Sequence, residues 1–205
     1  MSAGANTNSA AMGPQDQSPP AAKDWRAACD TRIMICLAGR AAEARARRPD
    51  HNGWCRRMDE RERVSWHEAG HITAAAVSTF QNGAAIEMVG HRYRGIAAHS
   101  DVALPEGPDH PSFDNFDLLP RDFVKATAYA QLVVGQRGWL AYLRGLWHRT
   151  DALLGENWLC VKMLSLELQR TGCVRRDRAQ QIIDRWCGVP EASLVEALKR
   201  EQRGA

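Results

Sequence analysis

His67-Glu68-Ala69-Gly70-His71, followed by Ile72-Thr73-Ala74-Ala75, is the stretch whose reading decides the chain. It predicts a helix. Asp59 with Glu62 three residues on is a start signal of the capping-box kind, and Asn82-Gly83 is a stop. Between them Ala69, Ile72, Ala76 and Phe80 recur at three- and four-residue steps, an apolar stripe that faces a core. On such a helix His67 and His71 stand one turn apart, so both imidazoles can reach one point. Two nitrogen ligands at that spacing suit a tetrahedral zinc. Glu68 is displaced around the helix from both and can take a proton from a water that the metal acidifies to a pKa of about 7. A His pair on a helix can also be a plain polar face. The caps, the apolar stripe and Gly70 weigh against that, because a mid-helix Gly costs about 1 kcal/mol relative to Ala and calls for close approach of another element.

Working outward, residues 1–22 are Ser, Ala, Asn, Gly, Gln and Pro with almost no large apolar groups, the composition of a disordered N-terminal tail. A single domain is expected over 23–198, with a frayed C-terminus over 199–205. A first helix from Lys23 carries Trp25, Cys29, Ile33, Cys36 and Leu37 and stops before Pro49. After the motif helix, 84–89 and 96–104 read as two short strands, a hairpin. A long helix starts near Pro120, a residue suited to a first helical position, and carries Phe123, Ala126, Ala130, Val133 and Val134. Thr150 reads as the cap of another helix running to Gly172, and two shorter helices follow. The fold class is therefore mainly α with a small β-hairpin.

The composition narrows the function classes. A formal charge of +3 does not by itself imply a nucleic-acid partner, and only four of the 27 basic residues are Lys. Arg40, Arg45, Arg47, Arg48, Arg56, Arg57, Arg61 and Arg63 are interleaved with Glu43, Asp59, Glu60 and Glu62, which favours a solvated, charge-laced surface over a nucleic-acid patch. Six Cys occur without any C-x-x-C pair and without a secretory signal, the usage of reduced thiols. No run approaches the ~18 apolar residues of a membrane span. The expected setting is cytoplasmic.

The order of features resembles a known family. Glu62-Arg63-Val64-Ser65-Trp66-His67-Glu68-Ala69-Gly70-His71 is similar to the start of the peptidase domain of the FtsH-type zinc proteases. The hairpin, its basic turn His91-Arg92-Tyr93-Arg94-Gly95, and Leu104-Pro105-Glu106 continue the likeness. Val133-Val134-Gly135-Gln136-Arg137-Gly138 resembles that family's glycine-arginine helix, although Gly138-Trp139-Leu140 departs from the small pair and Glu that follow the arginine there. Gly39-Arg40-Ala41-Ala42-Glu43 is a closer match to that helix but stands upstream of the motif. Taking it as a circular permutation would make Asp59 or Glu60 the acidic ligand, about 12 Å from His67 along one helix, so that reading is set aside. The likeness covers roughly residues 60–172 and includes neither the family's ATP-driven unfolding domain nor its membrane anchor.

The resemblance implies a zincin-like helical metallopeptidase domain and a third ligand, an Asp early in a helix well downstream of the second His. Asp151 fits, following Thr150, with Gly155 one turn on to admit the metal; Glu156 and His148 are rivals. The expected activity is zinc-dependent hydrolysis of peptide bonds, with Glu68 as general base and His67, His71 and Asp151 on Zn2+. The expected partner is a polypeptide substrate paired along the second strand. An ATPase working in trans, or a homo-oligomer, stays open. So do two other functions: a zinc-containing peptide-binding protein that does not cut, and a regulatory protease specific for one partner.

Overall fold

The structure, a computed structural model, describes residues 22–48, 57–78, 82–89, 92–99, 121–190 and 192–193. The tail over 1–21, the loops flanking the hairpin and the C-terminal end lie outside the described residues. Six helices and a small sheet make up the rest: α1 (Ala22–Ala46), α2 (Glu60–Val77), β1 (Asn82–Val89), β2 (Arg92–His99), α3 (Asp122–Val134), α4 (Trp139–Glu156), α5 (Trp158–Thr171), β3 (Cys173–Val174) and α6 (Arg176–Trp186). The chain is mainly helical, as its periodicity predicts. No helix among the described residues is long and apolar enough to cross a membrane.

Helix α1 is the hub because its apolar residues fall on two faces. Ile35, Ala38, Ala41 and Ala42 join Trp66, Ala69, Ile72, Ala74 and Ala75 of α2, Leu154 of α4, Cys160, Val161, Leu164 and Leu168 of α5 and Ile182 and Ile183 of α6 in one core. Cys29, Ile33 and Leu37 join Ala126, Tyr129 and Ala130 of α3 and Leu143 and Leu146 of α4 in a second. Truncating a fully buried leucine such as Leu164 to Ala should cost about 2–5 kcal/mol.

Small residues set the closeness of α1 and α2. A methyl built on Gly70 would lie 2.5 Å from the Ala38 carbonyl oxygen and 2.7 Å from the Ala42 Cβ, so Gly70 admits α1. Asp59 caps α2 by accepting the Glu62 N–H at 2.7 Å. A hydroxyl cluster pins the first turns of α2 to α5. The Ser65 and Ser165 hydroxyls are 2.8 Å apart, and Gln169 Nε2 donates to both, at 2.9 and 3.1 Å.

The hairpin pairs antiparallel from Asn82 with His99 to Val89 with Arg92. Its second strand begins earlier than the expected 96, at Arg92, and the expected residues 100–104 lie outside the described residues. The two-residue β3, not foreseen in the sequence, pairs with β1 through Ala84 with Val174 and Ala85 with Cys173, giving the order β2-β1-β3. Two other expectations are corrected. Val133 to Gly138 does not form one helix, because α3 ends at Val134 and Gly135 turns out at a φ of 76°. Thr150 is not a cap: it lies inside α4, buried, and its hydroxyl donates to the Leu146 carbonyl at 2.8 Å. The break falls at Asn157, between α4 and α5.

Candidate metal centre

The positions of His67 and His71 follow from their seat on α2, one turn apart and facing α1 and the start of α3. Their Nε2 atoms lie 3.0 Å from each other. The carboxylate of Asp122, in the first turn of α3, completes a triangle, with Oδ2 3.1 Å from His67 Nε2 and 3.2 Å from His71 Nε2. These three side chains form a group that could hold a metal ion.

The far side of each imidazole fixes which nitrogen points inward. His67 Nδ1 is 2.7 Å from Glu43 Oε1, and His71 Nδ1 is 2.7 Å from the Ile35 carbonyl oxygen. A carboxylate and a backbone carbonyl can only accept here, so both Nδ1 atoms carry hydrogen and donate. The neutral rings then turn two lone pairs toward one another and toward a carboxylate. Three acceptors converging in this way need a proton or a cation between them. In the metal-free chain the need falls on His67. Burial opposes its charge, but the Asp122 and Glu43 carboxylates outweigh burial and carry its pKa up to about 9. Asp122 answers in kind: despite burial, the imidazoles hold it well below the usual carboxylate range.

The donor set and spacing fit a small divalent cation. Tetrahedral zinc with bonds of about 2.0–2.1 Å separates its donors by about 3.3 Å, close to the 3.0–3.2 Å edges of the triangle. There is also room. A methyl built on Gly39 of α1 would lie 2.6 Å from His71 Nε2 and 2.7 Å from His67 Nε2, so only a glycine leaves the space beside both nitrogens open. The support beneath the site follows the carboxylate–histidine pattern that orients metal-binding imidazoles.

Asp122, not Asp151, is the acid the fold brings to the histidines. Asp151 lies in α4, where Arg48 Nη2 donates to both its oxygens at 2.8 Å and Arg45 Nη1 to Oδ1 at 3.2 Å. Those guanidiniums, acting against partial burial, hold its carboxyl below the ordinary value. Gly155 serves that clasp as well, since a methyl there would meet Arg45 Nη2 at 2.8 Å. Glu156 and His148 are exposed on α4 and belong to no such group among the described residues.

The Gly39–Glu43 stretch sits against the motif helix after all. Setting it aside rested on Asp59 or Glu60 as its acidic partner, whereas the acid beside the histidines comes from α3. Glu43 is buried and shared: Oε1 takes His67 and lies 3.6 Å from Arg63 Nη1, while Oε2 lies 3.5 and 3.9 Å from guanidinium nitrogens of Arg40 and Arg47. Burial alone would raise its pKa, but His67, Arg40 and Arg63 lower it. Much of the arginine run is thus spent on Glu43 and Asp151.

Glu68 is 5% exposed. Burial raises its pKa, and the neighbouring imidazoles only partly oppose the rise. Strand β2 passes over it at Gly95, where a methyl would run into Glu68 Oε1.

Compared with known proteins, the chain matches no family model, no curated protein and no solved structure, so the case for this site rests on its own atoms.

Proposed function

We propose that the chain is a zinc metallopeptidase of zincin-like construction, acting on polypeptide in the cytoplasm, with His67, His71 and Asp122 as metal ligands and Glu68 as general base. The observation that carries this reading is the convergence of three acceptor atoms, each 3.0–3.2 Å from the other two, with both imidazoles oriented from behind. Zinc held there would supply a Lewis acid for the scissile carbonyl and a water acidified to a pKa of about 7.

The chain's own groups supply the rest. Glu43 and the Ile35 carbonyl keep both Nε2 lone pairs turned to the site. Glu68, buried and with its pKa raised, is a stronger base than a solvated carboxylate, which suits it to accepting a proton and returning it to the leaving amine. Strand β2 is one of the two edge strands of the sheet among the described residues and crosses Glu68 at Gly95, which supports an extended substrate pairing along that edge.

Replacing Glu68 with Gln tests the chemistry apart from the metal. Glu68→Gln should keep its zinc and melting temperature while cleavage of an unfolded polypeptide such as casein falls by at least ~10²-fold, the loss expected of a general base. Cleavage at the wild-type rate would refute the role of Glu68. Zinc binding with no cleavage by the wild type would leave the peptide-binding zinc protein as the better account.

A further inference from the structure

Away from the histidines, a second pair of reactive side chains meets where α5 and α6 come together. Cys160 is fully buried in α5, inside the core that contains α2, and accepts from the Thr73 hydroxyl at 3.9 Å. Cys187 caps the C-terminus of α6, its N–H donating to the Ile183 carbonyl at 2.9 Å, and packs half-buried on the same core. The two segments are tied beside the sulfurs. The Gly188 N–H donates to Asn157 Oδ1 at 2.9 Å, and Asn157 is the N-cap residue of α5, one turn before Cys160. Gly188, at a φ of 71°, then turns the chain away. This backbone contact, and the packing of Cys187 on the core that contains Cys160, bring the two thiols side by side.

We propose that Cys160 and Cys187 form a redox-modification site, a dithiol that closes to a disulfide by exchange with a low-molecular-weight disulfide such as oxidised glutathione. Cys187 is the entry sulfur because it alone of the two reaches the surface. Its thiolate attacks one sulfur of the reagent, the reagent's S–S bond breaks, one thiol leaves, and a mixed disulfide forms on Cys187. Cys160, on the neighbouring helix, attacks the Cys187 sulfur and expels the second thiol. The balance is two protein thiols oxidised and one reagent disulfide reduced to two thiols, which carry away both protons. The neighbouring Cys160 supports this order, holding the Cys187 thiol below its ordinary pKa against burial, while the neighbouring Cys187 and burial push Cys160 up. Of the other described thiols, Cys29 is buried with its pKa pushed up to about 12, and Cys173 is exposed on β3. The inference does not depend on the metal site.

The test is a thiol map of the full reduced chain after incubation with oxidised glutathione, alkylated in denaturant and digested for mass spectrometry. A cross-linked peptide pair containing Cys160 and Cys187, reversed by dithiothreitol, is the expected product. In Cys160→Ser a glutathionyl group should remain trapped on Cys187. The inference is overturned if exposed Cys173 carries glutathione while Cys160 and Cys187 stay alkylated, or if Cys187 keeps the adduct in wild type without bridging. The wild-type map decides alone if Cys160→Ser does not fold.

Discussion

Two aspartates on consecutive helices meet the rest of the chain in opposite ways. Asp151 receives N–H donors from Arg45 and Arg48, so its charge and its lone pairs are answered within the protein. Arg45 is in turn held over the Trp158 ring, 5.4 Å from its centroid, and Trp158 stacks on Trp66 at 5.2 Å. That region is a finished clasp between α1 and α4. Asp122 instead faces two imidazoles whose Nδ1 hydrogens are already given to Glu43 and Ile35. Acceptors converge there, and among the described residues no fixed cation lies between them. The difference teaches how to tell a structural acid from one placed to receive a cation: the donors on the far side of its partners decide, more than the acid's place in a helix.

The largest break in this comparison should come from Gly39→Ala. A helical Gly replaced by Ala ordinarily gains about 1 kcal/mol. Here the new methyl would enter the space 2.6–2.7 Å from both Nε2 atoms. Zinc should be lost, and overpacking of about 1–3 kcal/mol should cancel the gain in propensity. A more stable variant that still binds zinc, read by calorimetry and metal analysis, would show that the site lies elsewhere.

Glu43→Gln probes the support behind His67. Removing such a partner typically weakens metal affinity by about 10–100-fold, and chelator competition would read that shift. No change would make Glu43 a mere counter-ion for its arginines.

A smaller effect concerns pH in the metal-free chain. His67 has its pKa raised from 6.5 to about 9, so its contribution to stability is complete below about pH 6.5 and is lost as pH rises through about 9. Asp122 and Glu43 are lowered from 3.8 and 4.5, so theirs is present above those values and lost as pH falls below them. Urea melts in chelator should therefore peak between about pH 4.5 and 6.5 and decline toward pH 9. Zinc should flatten the alkaline decline, because the cation takes the place of the proton. A metal-free curve rising from pH 7 to 9 would contradict this.

Asp151→Ala should do least. Its carboxylate and Arg45 are about a quarter exposed and Arg48 about half, so the clasp is worth about 1 kcal/mol or less. Zinc content should stay at the wild-type value.

Much of the architecture could be read in the sequence because periodicity and caps act locally. Asp59 capping α2, Gly70 admitting α1 and the helix near Pro120 all follow from residue type and spacing. Asp122 was missed although it satisfied the same criterion applied to Asp151, an acid in the first turn of a helix downstream of His71. Thr150 drew attention away because threonine is a good cap. Its spacing to Leu146 and Leu154 marks it equally as one buried position of a continuous helix. The role of Gly39–Glu43 was out of reach for another reason: which face of α1 crosses α2 is a tertiary choice, made by Ala38, Gly39 and Ala42 being small together. The two-residue β3 is too short to leave any pattern.

The central claim is that the fold assembles a cation site from His67, His71 and Asp122. Zinc stoichiometry of wild type beside Asp122→Ala and Asp151→Ala tests it most directly. The account predicts about one zinc per chain in wild type and Asp151→Ala, and loss of the metal in Asp122→Ala, because two imidazoles alone hold zinc poorly. Full zinc in Asp122→Ala with loss in Asp151→Ala, or a wild type that takes up no zinc, would contradict it.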